Sequence, residues 1–169
     1  MRGHDGPLGI VPNVSDAPRR TILIATDADE VFDEVDAALS DETTTLARVR
    51  AGRDVLAAVQ QLEPDLVVLD LQIGNMGGVA TSLGLRNEES FGRIDEQRIV
   101  LLLDRSADVF LARRSGADGW LIKPLHTLRI RRAVDLVLAG EDYTEGVEAP
   151  VLAPEAPAAA TDGETSAPV

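Results

Sequence analysis

The sequence predicts an α/β fold, a doubly wound (βα)5 domain with a five-stranded parallel sheet, and three observations carry that expectation. Short runs rich in Val, Ile and Leu recur between residues 20 and 140, each followed by a stretch with apolar residues at helical spacing. Three of the runs are apolar throughout instead of alternating, as strands covered on both faces are. Four of them run into charged residues at their carboxyl ends, where open α/β sheets place their ligand sites.

Taken in order, TILIAT (21–26) reads as a buried strand, and DADEVFDEVDAALS comes next with Val31, Val35, Ala38 and Leu39 on one helical face. Acids in its first turn suit the positive end of the helix dipole. TTTLARV (43–49) is a weaker strand, and GRDVLAAVQQLEP places Val55, Leu56, Val59 and Leu62 at helical spacing before Pro64 stops the helix. DLVVLDL is the third strand, GGVATSLGLRNEES a helix with a soft interior, and RIVLLL (98–103) the fourth strand. SADVFLARRS is a short helix ended by Gly116, and GWLI (119–122) is the fifth strand. TLRIRRAVDLVLAG closes the domain, with Ile130, Val134, Val137 and Leu138 inward and Gly140 as a C-cap.

Outside this block the composition changes. Residues 1–19 are rich in Gly, Pro, Asn, Asp and Ser and read as a flexible leader. Residues 141–169 carry seven acids and no base, lack large apolar groups, and read as a disordered acidic Pro/Ala-rich tail. That assigns 20–140 to the folded domain.

The net charge of −13 argues against a partner that is nucleic acid or an anionic membrane surface. No run approaches the ~18 apolar residues of a membrane helix, which points to a cytoplasmic protein. The absence of cysteine removes disulfides and thiolate metal sites. Aromatic residues make up only 3% of the chain, so the core must be built from Val, Leu, Ile and Ala.

The strand ends deliver Asp27 with Thr26, Asp70, Asp104, and Lys123 with Pro124 to one edge. Carboxylates gathered at one point repel unless a cation lies among them, and oxygen ligands suit Mg²⁺. Lys123 is the only lysine beside 15 arginines, which suggests that a compact ammonium is needed there.

Three segments carry a family resemblance: PDLVVLDLQIGNMGG, SGADGWLIKPL and TILIATD. In order and at these spacings, residues 21–140 resemble the receiver domain of bacterial two-component response regulators, a flavodoxin/CheY-like fold. The resemblance implies that Asp70 is the phosphoacceptor, taking a phosphoryl group from a histidine kinase or phosphotransfer protein. It implies that Asp27, Asp70 and the backbone carbonyl of Gln72 hold Mg²⁺ and that Lys123 contacts the phosphoryl oxygens. Trp120 falls at the aromatic switch position, with simple packing as the other reading, and a cis bond is implied before Pro124. Since the segment after residue 140 is short and polar, the expectation is a stand-alone response regulator. It would not be an enzyme beyond self-phosphorylation and autodephosphorylation, and it would act on an unknown protein target.

The chain departs from the family pattern at three points. Thr26 replaces the first of two acids after the first strand, and Gly74 replaces a proline four residues after the acceptor. Where the family needs Ser or Thr after the fourth strand, this chain offers Leu103 or Asp104, depending on register; Asp104 also reads as a helix N-cap. A carboxylate there donates no hydrogen bond and repels a phosphoryl group of roughly −1.5 to −2 charges. The second reading is therefore a degenerate receiver that binds protein without phosphorylation. A third, a small metal-dependent phosphohydrolase, is disfavoured, since the chain has no cap and no second acid beside Asp70 in the usual Asp-x-Asp form. Arg113, Arg114, Arg129, Arg131 and Arg132 read as a solvated face or as a docking face, including one for a homodimer through the last two helices.

Overall fold

A computed structural model describes residues 19–146, so the leader (apart from Arg19) and residues 147–169 lie outside the described residues. The elements are β1 (Arg20–Ala25), α1 (Asp29–Leu39), β2 (Thr44–Val49), α2 (Val55–Leu62), β3 (Leu66–Asp70), α3 (Gly78–Ser90), β4 (Ile99–Leu103), α4 (Val109–Ala112), β5 (Gly119–Ile122), α5 (Thr127–Leu138) and β6 (Tyr143–Thr144). The sheet runs β2-β1-β3-β4-β5-β6 with every adjacent pair parallel. Strand order reverses between β1 and β3, so the crevice at their carboxyl ends is the topological switch point.

The continuous apolar runs are explained by two cores, one on each face of the sheet. Ile22, Ile24, Val68, Val100 and Leu102 point toward α1 and α5, where they meet Val35, Leu39, Ile130, Val134 and Val137. Their neighbours Leu23, Ala25, Val67, Leu69, Leu101 and Leu103 point the other way, toward Val55, Val59, Leu85 and Val109. Each Val, Leu or Ile buried in this way contributes about 1.5–3 kcal/mol, so the central strands tolerate little change.

The end of the sheet away from the crevice is stapled by one arginine. Arg86 of α3 donates from Nε to the Gly116 carbonyl at 2.7 Å, from Nη1 to the Gln97 carbonyl at 2.8 Å, and from Nη2 to Asp118 Oδ2 at 2.9 Å. The same Asp118 oxygen accepts the Ile99 N–H at 2.7 Å, so α3 and the entries of β4 and β5 are joined at one point.

Two expectations are corrected. The sheet has a sixth strand, and its residues come from the segment read as disordered tail: Tyr143 and Thr144 pair with Gly119 and Trp120 of β5. Glu145 supplies what composition did not reveal, a set of specific polar anchors to β5 and α5. The helix expected over SADVFLARRS is a single 3-10 turn followed by the four residues of α4, because the connection between β4 and β5 is short. Of the five arginines on or near the last two helices, Arg113, Arg114, Arg131 and Arg132 are exposed and Arg129 is half-buried. Arg131 donates to the Ala38 carbonyl at 2.6 Å, tying α5 to α1, and the Arg114 guanidinium stacks 4.0 Å from the Phe110 ring centroid.

Candidate functional site

β3 delivers Asp70 to the crevice, and the residue is only 2% exposed. A carboxylate this buried needs partners, and each oxygen has one. Lys123 Nζ, one residue past β5, donates to Oδ1 at 2.8 Å; the Thr26 hydroxyl, one residue past β1, donates to Oδ2 at 2.8 Å. The backbone N–H of Gln72 lies 3.4 Å from Oδ1. Thr26, standing where the family places an acid, thus hydrogen-bonds Asp70 directly.

Pairing resolves the ambiguity after the fourth strand. Leu103 is fully buried in the α3/α4-side core, whereas Asp104 shares its parity with Leu102, which pairs with Asp70. Asp104 Oδ1 accepts from Lys123 Nζ at 2.9 Å, so the ammonium bridges Asp70 and Asp104. Asp104 Oδ2 is buried without a hydrogen-bond partner. The helix-cap reading of Asp104 fails, since it is Asp108 whose carboxylate accepts the Arg105 N–H at 3.1 Å. Burial pulls the Lys123 ammonium down, but its hydrogen bonds to Asp70 and Asp104 outweigh this and hold its pKa above the ordinary lysine value.

Asp27 stands apart from this group. Its Oδ2 accepts the backbone N–H of Gly74 at 3.2 Å. Proline at 74 has no such proton, so the missing proline and the tethered Asp27 are one feature. Among the described residues no three His, Cys, Asp or Glu side chains gather to hold a metal. In this arrangement both Asp70 oxygens are engaged, one by a cation and one by a hydroxyl, and Asp27 is turned to Gly74; Asp27, Asp70 and the Gln72 carbonyl are the oxygen ligands that would hold Mg²⁺.

Arg48 and Arg50 were not singled out by sequence reasoning, and they brace the same loop. Arg48 Nε donates to the Thr26 carbonyl at 3.1 Å, and each arginine donates to Asp29 Oδ1 at 2.7 Å. The Arg48 and Arg50 hydrogen bonds hold the Asp29 carboxyl below its ordinary value. Arginine at two alternate positions at the end of the second strand was the available signal.

Trp120 lies in the α3/α4-side core at 6% exposure, and its Nε1 donates to the Glu145 carbonyl at 2.8 Å. The Lys123–Pro124 bond is cis. Asp70, Lys123, Asp104 and Thr26 therefore form one connected cluster, with Asp27 and Gln72 at its border and Trp120 behind it.

A crevice at the switch point of a parallel sheet, with an aspartate ending the third strand and a lysine after the fifth, defines a receiver. The response regulator receiver domain model matches residues 22–135, most of the described chain, and the chain belongs to that family. It is similar to the nitrate/nitrite response regulator protein NarL of Escherichia coli K12, at 30% identity over 115 residues, covering 68% of this chain and 52% of that protein. The DNA-binding response regulator MtrA of Mycobacterium tuberculosis H37Rv is 32% identical over 111 residues, covering 64% of this chain and 46% of that protein. This chain thus matches only about half of each of these relatives. Among solved structures, the chemotaxis response regulator CheY4 of Vibrio cholerae has a TM-score of 0.62 at 21% identity, covering 70% of this chain and 98% of that one. The receiver domain of NtrX from Brucella abortus has a TM-score of 0.62 at 24% identity, with the same coverage. No helix among the described residues is long and apolar enough to cross a membrane.

Proposed function

We propose that this receiver is a cytoplasmic protein-binding module that signals through contacts without phosphorylation of Asp70 and without a resident Mg²⁺. The single observation behind this reading is that Lys123 is shared between Asp70 and Asp104. The carboxylate of Asp104 takes up the ammonium that a phosphoryl oxygen would need, and its second oxygen is buried with no partner. An incoming phosphoryl group meets that charge where the family supplies a hydroxyl donor, and it finds the second Asp70 oxygen already bonded to Thr26. The module turns over no substrate.

The test uses the full chain, a small phosphodonor and intact-mass spectrometry, with Trp120 fluorescence monitored as Mg²⁺ and then beryllofluoride are added. The expected result is no covalent phosphoryl gain and a flat signal, on protein shown by circular dichroism to be folded. A gain or a saturable change that Asp70→Asn abolishes overturns the proposal.

That outcome would favour the second reading, a phosphorylated single-domain response regulator, for which the Asp70–Lys123 contact at 2.8 Å speaks. In it an Asp70 oxygen attacks phosphorus, forming an O–P bond as the N–P bond to a kinase histidine breaks. The bonding pair stays on the imidazole nitrogen, which then takes a proton.

A further inference from the structure

We infer that the outer edge of β5, together with Arg129 of α5, is a docking site for an extended segment of a partner protein bearing an aromatic residue and, two positions later, an acid. Tyr143–Gly146 of this chain occupies that site as an intramolecular guard. The inference rests on the reading of the chain as a protein-binding receiver and names the contact through which it binds.

The site is built for such a segment. Gly119 pairs with Tyr143, and a Cβ on Gly119 would lie 2.7 Å from the Tyr143 carbonyl oxygen, so the glycine is what lets a strand approach. Beyond the two paired residues, Glu145 gathers donors from the receiving surface. Its carboxylate accepts the Ile122 N–H at 2.7 Å and Arg129 Nε at 2.8 Å, with a second guanidinium nitrogen of Arg129 on the same group. Its carbonyl accepts Trp120 Nε1, and the Tyr143 hydroxyl donates to its Oε1 at 3.0 Å. A planar fork meeting a carboxylate, flanked by a strand N–H and an indole N–H, is a recognition site with defined chemistry.

The occupant is weakly held by its own backbone. β6 has two residues, against four to six in β1 through β5, and short strands are marginal by themselves. It is reached through Gly140, at φ +86°, and the exposed Glu141 and Asp142, a short tether. Such tethers give effective concentrations of about millimolar, so an intramolecular guard yields to a partner segment that extends the pairing further along β5.

The experiment uses full-length wild type, Glu145→Ala to release the guard, and Glu145→Ala/Arg129→Ala. A fluorescent peptide of sequence DYTEGV is titrated to about 1 mM, matching the effective concentration of such a tether. Peptide anisotropy and Trp120 emission are read. Glu145→Ala is expected to bind at least tenfold more tightly than wild type, with a Trp120 change, and the double variant to lose that gain. Equal binding by wild type and Glu145→Ala, or no binding by either while circular dichroism stays native, overturns the inference. If Glu145→Ala does not fold, Tyr143→Gly loosens the guard and is held to the same two outcomes. None of these readouts involves Asp70, so failure here is distinct from failure of the phosphorylation-independent reading.

Discussion

Because Lys123 touches two carboxylates, replacing either one should cost little, while replacing both should cost more than the sum. Breaking a buried ion pair by removing one partner ordinarily costs about 3–5 kcal/mol, because a buried charge is left alone. Asp70→Asn leaves no such charge: Lys123 keeps Asp104 at 2.9 Å. The new amide oxygen still accepts from Lys123, and its NH₂ donates to Thr26 Oγ1, since a hydroxyl accepts as readily as it donates. The expected cost is about 1 kcal/mol, that of weakening one charged hydrogen bond. Asp104→Ala leaves the Asp70–Lys123 pair intact, and the Asp104 side chain is 33% exposed, so about 0.5–1 kcal/mol is expected. In the double variant a Lys123 side chain only 21% exposed has no carboxylate at all. Its cost should approach about 3 kcal/mol, the lower end for a stranded buried charge. The coupling is then about 1–1.5 kcal/mol, read from urea unfolding at neutral pH with a common slope. Additivity within about 0.3 kcal/mol would refute the bridging geometry, as would a loss of about 3 kcal/mol or more from Asp70→Asn alone.

Reversing two of the three departures from the family pattern with Thr26→Asp/Asp104→Thr should yield a chain that gains one phosphoryl group from a small phosphodonor with Mg²⁺ by intact mass, and Asp70→Asn should abolish the gain. Gly52→Ala should destabilise the domain by more than the roughly 1–3 kcal/mol typical of overpacking. Its Cβ would lie 1.9 Å from the Met76 carbonyl oxygen, and thermal unfolding checks the loss. Burial raises the Glu145 carboxyl, but Arg129, the Ile122 N–H and Tyr143 outweigh it and hold its pKa below the ordinary glutamate value. A depressed acid stabilises the folded form above its unfolded pKa and loses that contribution as pH falls through the folded one. Trp120 emission should therefore report release of the guard as pH drops below about 4.3, the ordinary glutamate value, and the step should be absent in Glu145→Gln. Asp41, held by the hydroxyls of Thr43 and Thr44 and the Thr43 N–H, should titrate near about 2 by NMR.

What the sequence made legible was whatever repeats locally. The apolar runs, the helical spacing of Val55 and Val59, and a charged residue after each strong strand are all set by contacts within a few positions or by one strand's periodicity. Asp70 and Lys123 are 53 residues apart and still readable, because parallel strands deliver their carboxyl ends to one edge. Asp104 against Leu103 was not decidable, since which of the two faces the pocket depends on parity that is set only when β4 pairs with β3. Gly74 read as an absent proline, and its positive role, an N–H for Asp27 across 47 positions, has no local signature. The sixth strand escaped for a related reason. Two residues set no period, and Glu145 reads as one more acid until Ile122 and Arg129, 23 and 16 positions earlier, close around it.

The Arg86 staple gives the domain unequal ends. Gln97, Gly116, Asp118 and Ile99 are all held at one point on the side of the sheet opposite the crevice. Elsewhere α4 is a single turn, and the edge of β5 is covered by a two-residue strand whose Tyr143 pairs with Gly119 beside the staple. Local openings draw on the segments with the fewest buried contacts, so deuterium should enter β6 and α4 long before it reaches the Ile99 amide. A partner prying at the β5 edge would thus work against a fixed pivot, and the strain of its arrival would travel to the four-residue helix and not into the core.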